Sequence, residues 1–205
     1  MTDTAGGEML PVVEQFRSLQ GEGYHTGMAV WFIRLGGCDT GCPWCDTDYA
    51  RDISAARMTA VEELARRAKE SETGRAVITG GEPSMHTLEA LTSALHRCGM
   101  EIFVETAGTH PLRGEFDWVC LSPKSVRGPL PEVYALADEL KMVIACEEDF
   151  ARAEECAAKV RSGCRLFLQP EWNSRVRMLP AITEYIACHP SWRLSLQTHK
   201  YIDIR

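Results

Sequence analysis

Three cysteines, Cys38, Cys42 and Cys45, fall within eight residues at a C-x3-C-x2-C spacing, in the run Cys38-Asp-Thr-Gly-Cys42-Pro-Trp-Cys45-Asp46-Thr47. Three is the informative number. A structural zinc site closes with four protein ligands, whereas a cubane iron-sulfur cluster held by three thiolates keeps one iron open to a further ligand. The run follows Met28-Ala-Val-Trp-Phe-Ile-Arg-Leu35, which reads as a strand, and Gly36-Gly37 turn the backbone into the cysteine loop. The thiols are therefore expected at the carboxyl end of a strand. Taken alone, the triad leaves three readings open: an open catalytic cluster, a structural zinc with a distant fourth ligand, or a closed electron-transfer cluster. No second C-x2-C follows, and of the candidates for a fourth ligand, His86, His96 and Cys98, the last two read more simply as ordinary helix residues.

The remaining composition excludes several classes of function. At 205 residues and 45% hydrophobic content the chain suits a single domain over 1–205. A net charge of -7 and a pI near 5.4, with the 22 Lys and Arg residues dispersed, argue against a nucleic-acid surface. No apolar run approaches the roughly 20 residues of a membrane helix, and residues 1–10 lack the basic start and apolar middle of a signal peptide. A cytoplasmic protein with no membrane partner is expected. Cys98, Cys120, Cys146, Cys156, Cys164 and Cys188 are scattered through apolar or helical patterns, which suits reduced, mostly buried thiols.

Along the chain, Pro11–Phe16 reads as a short strand and Leu19–Gly27 as a glycine-rich hairpin connection into the strand at 28–35. Thr59-Ala-Val-Glu62 matches a capping box for a helix of about four turns with Val61, Leu64, Ala65 and Ala68 on one face, directly after the cysteine loop. Further strands are expected at 75–79, 100–105, 118–122, 140–145, 164–168 and 192–196. The helices between them include one capped by Thr87 and stopped by Gly99, one capped by Asp149, and one over 174–188 that Pro180 starts, kinks or divides. The helix between 122 and 140 is weak. Such alternation implies right-handed crossovers and a mostly parallel sheet, with ligands beyond the carboxyl ends of the strands. Cys38–Cys45, Gly80–Pro83, Glu105-Thr106, Ser122–Lys124 and Gln169-Pro170 all fall there.

These residues carry a resemblance. The three-cysteine loop, with an aromatic residue before its third cysteine, and Thr79-Gly80-Gly81-Glu82-Pro83 resemble the radical S-adenosylmethionine (SAM) enzymes. Leu19-Gln20-Gly21-Glu22-Gly23, Cys45-Asp46-Thr47, Ser122-Pro123-Lys124, Gln169-Pro170 and Gln197-Thr198-His199-Lys200-Tyr201 resemble, in order, the members of that superfamily that form a 7-deazapurine, the queuosine precursor, from a carboxylated pterin. The resemblance runs from about residue 14 to residue 205 and implies an α/β fold, an incomplete TIM-like barrel with a mostly parallel sheet and a reduced set of helices.

The resemblance also implies a chemistry. Cys38, Cys42 and Cys45 would hold a [4Fe-4S] cluster, and Trp44, Cys45, Asp46, Gly81, Glu82, Ser122, Pro123, Lys124, Gln169 and Pro170 would contact SAM, with Trp44 packed over the cluster. Glu171 and Trp172 occupy the next two cofactor positions but depart from the family's pattern. Gly80-Gly81 would let backbone approach the cofactor closely, and backbone acceptors or Glu82 would meet its amino group. Thr47 would be a Mg2+ ligand, which suits an ion that keeps several waters; a turn or capping hydroxyl is the bland alternative. The implied substrate is 6-carboxy-5,6,7,8-tetrahydropterin, touched by Leu19, Gln20, Gly21, Glu22, Arg34, Thr79, Glu105, His199, Lys200 and the terminal carboxylate at Arg205, where the family has proline. Glu105 would bind the pterin's guanidine-like edge. A homodimer and an external electron donor complete the implied set. Two other functions stay open: a radical activase acting on a partner protein, for which Leu19–Gly23 would be only a turn, and a non-catalytic iron-sulfur or zinc module.

Overall fold

A computed structural model describes residues 8–124 and 127–205. Most of the stretch read against a signal peptide, residues 1–7, lies outside the described residues.

β1 (Met9–Leu19) and β2 (Ala29–Leu35) pair antiparallel. β1 runs past Phe16 because Arg17, Ser18 and Leu19 still pair with Trp31, Val30 and Ala29, although their polarity hides the alternation. The hairpin connection is closed by Gln20 N–H to the Met28 carbonyl and Gly27 N–H to the Gln20 carbonyl, both 2.8 Å. After the cysteine loop, short 3-10 turns at Asp48–Ala50 and Ile53–Ala55 bring the chain back to β1 as an edge strand, β3 (Arg57–Ala60), before α1 (Val61–Glu70) begins. This strand replaces the expected capping box. Thr59 lies within β3 with its hydroxyl on the Arg57 carbonyl, Ala60 is the cap residue, and the Glu8 carbonyl accepts the Val61 N–H. The predicted face of α1 is buried as expected.

The chain then alternates through β4 (Arg75–Gly80), α2 (Glu89–Arg97), β5 (Glu101–Thr106), β6 (Trp118–Leu121), α3 (Pro131–Leu136), β7 (Glu139–Ile144), α4 (Glu148–Ala157), β8 (Arg165–Pro170), α5 (Arg175–Cys188), β9 (Trp192–Leu194) and α6 (Thr198–Tyr201). α2 starts at Leu88 without a side-chain cap, so Thr87 is not its cap, and it ends at Gly99, whose φ of 75° lets Met100 N–H return to the Leu95 carbonyl. Asp149 lies inside the first turn of α4 and reaches back to the Ala145 and Cys146 N–H groups. Pro180 does not divide α5. The carbonyl left without its N–H partner is that of Val176, a residue 79% exposed, where water can serve instead.

Among the described residues nine strands form one sheet in the order β3-β1-β2-β4-β5-β6-β7-β8-β9, parallel from β2 onward. β3 and β9 are the two edges, so the barrel is incomplete, as the resemblance implied. α1 and α2 bury Leu64, Leu91 and Leu95 against Ile33, Ile78 and Ile102, while Met178, Ile182 and Trp192 pack with Leu140, Met142 and Leu168 farther along the sheet. On the concave face lie Phe16, Phe32, Val77 and Phe103. The helix set is reduced among the described residues: no helix links β5 to β6, and α3 has only six residues. None of the described helices is long and apolar enough to cross a membrane.

The two ends of the open sheet meet through side connections. Thr198 gives both its N–H (2.9 Å) and its hydroxyl (2.8 Å) to the Gly21 carbonyl, and Gly23 N–H bonds the Ser195 hydroxyl at 2.9 Å. Residues flanking β9 thereby hold the β1–β2 connection against the interior.

Candidate active site

Parallel order puts the carboxyl ends of β2, β4, β5, β6, β7 and β8 along one rim, and a cavity of about 430 Å3 opens there. It is lined by the cysteine triad with Trp44, Asp46 and Thr47, by Thr79, Gly81 and Glu82, by Glu105, by Ser122 and Lys124, and by Gln169, Pro170, Glu171 and Trp172. Leu19, Gln20, Gly21, Glu22, Arg34, His199, Lys200 and Arg205 complete the wall. Of the residues that the resemblance gave as cluster, SAM, Mg2+ or substrate contacts, Pro123 alone is not in this lining.

The cysteine loop is held by its neighbours' backbone. Gly37 N–H bonds the Ala50 carbonyl, Cys38 N–H the Arg51 carbonyl, and the Arg51 guanidinium donates to the Cys42 carbonyl. All three thiols are free, and burial pushes the Cys42 thiol up. The glycines at the exit of β4 serve this loop. A Cβ on Gly80 would stand 2.2 Å from the Leu35 carbonyl oxygen, and one on Gly81 would stand 2.1 Å from that of Gly37. The close approach that the sequence suggested toward a cofactor is thus made first toward the cysteine loop. Glu82 lines the cavity and is 2% exposed, and its carboxylate accepts bonds from the Ser84 N–H and hydroxyl, the Thr106 hydroxyl and the Ala107 N–H. It braces β4 to β5 through these bonds, three of them on Oε1 and one on Oε2.

Lining residues that no motif announced make a charged cluster opposite. Lys141, on the concave face of β7 and 3% exposed, bonds Glu22 Oε2 at 2.5 Å and lies 3.6 Å from Glu105 Oε2. Glu105 Oε1 accepts from the Gln20 amide (2.8 Å), and Glu22 Oε1 from the Gln197 amide (2.8 Å). Burial works to raise the Glu22 pKa, but the Lys141 charge and the hydrogen bonds from Lys141 and Gln197 outweigh it and hold the carboxyl at about 2. Burial likewise works against the Lys141 ammonium, and the acids around it keep it charged well above the ordinary lysine value. Burial also pushes the Cys120 thiol up, so Glu22, Glu105 and Glu139 carry that effect. Lys200 bonds Asp46 Oδ2 at 2.6 Å, and burial depresses the His199 pKa so that its ring stays neutral near pH 7. Period-two reading would have found Lys141: Leu140, Met142 and Ile144 face the helices, which leaves Glu139 and Lys141 facing the other way.

Elsewhere, Lys124 bonds the Ser122 hydroxyl at 2.8 Å and lies 5.3 Å from the Trp44 ring centre. Gln169 accepts from Ser195. Glu171 accepts the Asn173 and Ser174 N–H groups, both at 2.9 Å, and so shapes the entry to α5. Trp172 packs under the Arg175 guanidinium and edge-on to Tyr201. Arg34 is bonded at 2.8 Å to Glu14, a residue the sequence did not single out, which also takes the Tyr49 hydroxyl and pairs with Arg205. Burial tends to raise the Glu14 pKa, and the Arg34 and Tyr49 hydrogen bonds bring it below its usual value. Thr47 stands at the cap position of the Asp48–Ala50 turn but makes no side-chain cap bond; it lines the cavity, with its hydroxyl 3.8 Å from the Cys45 thiol.

Comparison with known proteins agrees with this site. The sequence model of the Radical SAM superfamily matches residues 32–142. The chain is 46% identical to a 7-carboxy-7-deazaguanine synthase of Flavobacterium psychrophilum, over 97% of this chain and 94% of that protein. The chain belongs to the 7-carboxy-7-deazaguanine synthase family. A family member from Synechocystis is also 46% identical, over 95% of this chain and 93% of its own length. The crystal structure of QueE from Escherichia coli superposes with a TM-score of 0.83 at 32% identity, covering 93% of this chain and 95% of that one.

Membership in the radical SAM superfamily brings a [4Fe-4S] cluster and SAM. The residues present fit that pair. Soft thiols from the loop after β2 line one side of the cavity, hydroxyl, ammonium and backbone groups at the ends of β6 and β8 line the next, and these groups converge onto one space. Among the described residues no three Cys, His, Asp or Glu side chains converge as ligands of a single metal ion.

Proposed function

We propose that the chain converts 6-carboxy-5,6,7,8-tetrahydropterin into 7-carboxy-7-deazaguanine with loss of ammonia, a step toward queuosine. The observation that carries this is the shared cavity, in which the cysteine triad faces a wall built from Gln20, Glu22, Arg34, Glu105 and His199. It also speaks against a radical activase, because Leu19–Glu22 line the site and are more than a turn. When bound, the cluster and SAM supply a carbon-centred radical able to take a hydrogen atom from the substrate.

In this reading Cys38, Cys42 and Cys45 hold the cluster. The SAM contacts are the Trp44 ring, Asp46, the Gly81 backbone, Ser122, Lys124, and Gln169 with its neighbours through Trp172. Arg34, with Glu14 fixing its guanidinium, offers a cation to the substrate carboxylate, and Glu105 accepts from the pterin's N–H edge. Gln20, Gly21, Thr79, His199, Lys200 and Arg205 complete the substrate wall. The Thr47 hydroxyl is the protein ligand of a Mg2+ that otherwise keeps waters and substrate oxygens. The whole chain, 1–205, acts as one domain, in a cytoplasmic homodimer served by an external one-electron donor.

The test is anaerobic turnover of 6-carboxytetrahydropterin by the iron-reconstituted protein with SAM and dithionite. Formation of 7-carboxy-7-deazaguanine and ammonia is expected. Binding of one equivalent of zinc with no iron, or 5'-deoxyadenosine formed without any purine product, would sink the reading.

A further inference from the structure

A lysine buried among carboxylates beneath a binding cavity has to be explained by what those carboxylates do. Lys141 on β7 contacts Glu22 from the β1–β2 connection and faces Glu105 on β5. Glu139 approaches from its own strand, Cys120 from β6 and His25 from the β1–β2 connection, while His199, Lys200 and Asp46 stand around Glu22 on the far side. Gln20 and Gln197 each spend an amide on these acids, so the acids are fixed as well as charged. The ammonium between the two carboxylates fixes both, and its charge outweighs burial to keep Glu22 ionised.

We propose that Lys141 is a positioning residue for substrate recognition: its ammonium, between Glu22 and Glu105, locks both carboxylates in place as acceptors, so that the wall takes only a ligand edge made of N–H donors, such as the aminopyrimidinone edge of a pterin. The role rests on the function proposed above. It acts through the two acids. If one of them took a proton, an O–H would meet a ligand N–H, donor against donor, and the ligand would be repelled.

The proposal is tested by the pH dependence of KM for 6-carboxytetrahydropterin in the wild type and in Lys141→Met, which keeps the stem and removes the charge. Between about pH 6 and pH 8, away from the ordinary carboxylate range, the wild-type KM is expected to be flat. Burial moves the His199 titration below its ordinary value, toward the acid edge of that window. In Lys141→Met the KM should rise about tenfold or more and rise further as pH falls, while iron content and the 5'-deoxyadenosine formed without substrate stay at wild-type levels. A folded Lys141→Met with the wild-type KM profile overturns the proposal. So does a wild-type KM that climbs about tenfold as pH drops across the window, since the wall would then lose its acceptors in spite of the ammonium. If Lys141→Met fails to fold, Lys141→Met/Glu22→Gln removes both charges of the pair, and a folded double variant with wild-type KM is equally fatal. A wild type that never turns over the pterin defeats the functional reading itself, a result distinct from any of these.

Discussion

Gly21 carries no side chain because His199 stands where one would go: a Cβ there would lie 2.1 Å from His199 Nδ1. Gly21→Ala should therefore displace His199 from the cavity wall and raise KM about tenfold or more, while cluster content, read as iron per chain, stays unchanged. An unaltered KM would remove His199 from the substrate wall. The cysteines divide in the same residue-by-residue way. Cys38→Ala, Cys42→Ala and Cys45→Ala should each abolish iron loading, whereas Cys98→Ala and Cys156→Ala should retain it, the latter losing about 1 kcal/mol of stability for its buried thiol. Iron at wild-type levels in Cys42→Ala would contradict the assignment. At this scale the sequence was informative wherever chemistry clusters along the chain, as at Cys38–Thr47. It was silent where partners are distant in the chain: Glu14 matters through Arg34, Tyr49 and Arg205, and Glu82 bonds Thr106 and Ala107. No spacing rule reports such pairs.

Elements were legible in proportion to their periodicity. The buried faces of α1 and α2 and the strands from β4 to β8 follow from apolar spacing and alternation, whereas the open barrel came from the family resemblance alone. β3 was missed because Arg-Met-Thr-Ala shows neither pattern, and what makes it a strand is pairing with β1, some 45 residues back, which only the fold supplies. The three expected caps failed for a related reason. Thr59 is drawn into β3, Thr87 lies before Leu88, the residue that takes the cap position, and Asp149 works from inside its helix. α5 offers a test of the tolerance that the sequence did not foresee. Pro180→Ala restores an N–H that can bond the Val176 carbonyl, so stability in urea should rise by about 1–2 kcal/mol, the helix gain less the lost rigidity of the unfolded chain. A destabilised Pro180→Ala would mean that the proline ring packs more productively than an added hydrogen bond.

Across the whole molecule, the Glu22–Lys141 pair joins the β1–β2 connection to a strand in the middle of the sheet, so its titration is felt as stability. The folded pKa of Glu22, about 2, lies below its ordinary value of 4.5. The contribution is therefore present above about pH 4.5 and is lost as pH falls toward 2, on the order of 2–3 kcal/mol when fully expressed. Urea unfolding at a series of acid pH values should show that loss in the wild type and a flatter profile in Glu22→Gln. Identical acid limbs in the two proteins would place the acid sensitivity elsewhere, for example at Glu14.

The bonds that draw Gly21 and Gly23 to Ser195 and Thr198 link residues separated by nearly the full length of the chain. Loop closure of that size is entropically the last to be met, and few apolar contacts reinforce it, because the neighbouring Leu194, Tyr201 and Ile202 are exposed. The wall that carries Glu22 and His199 therefore unlatches more easily than the barrel strands behind it. In native-state hydrogen exchange the Gly23 and Thr198 amides should open with a smaller free energy than those of Ile33, Ile78 and Val104, and a ligand filling the cavity should slow the first pair selectively. A substrate or cofactor of this size can then enter and leave through a seam in the structure while the core stays folded.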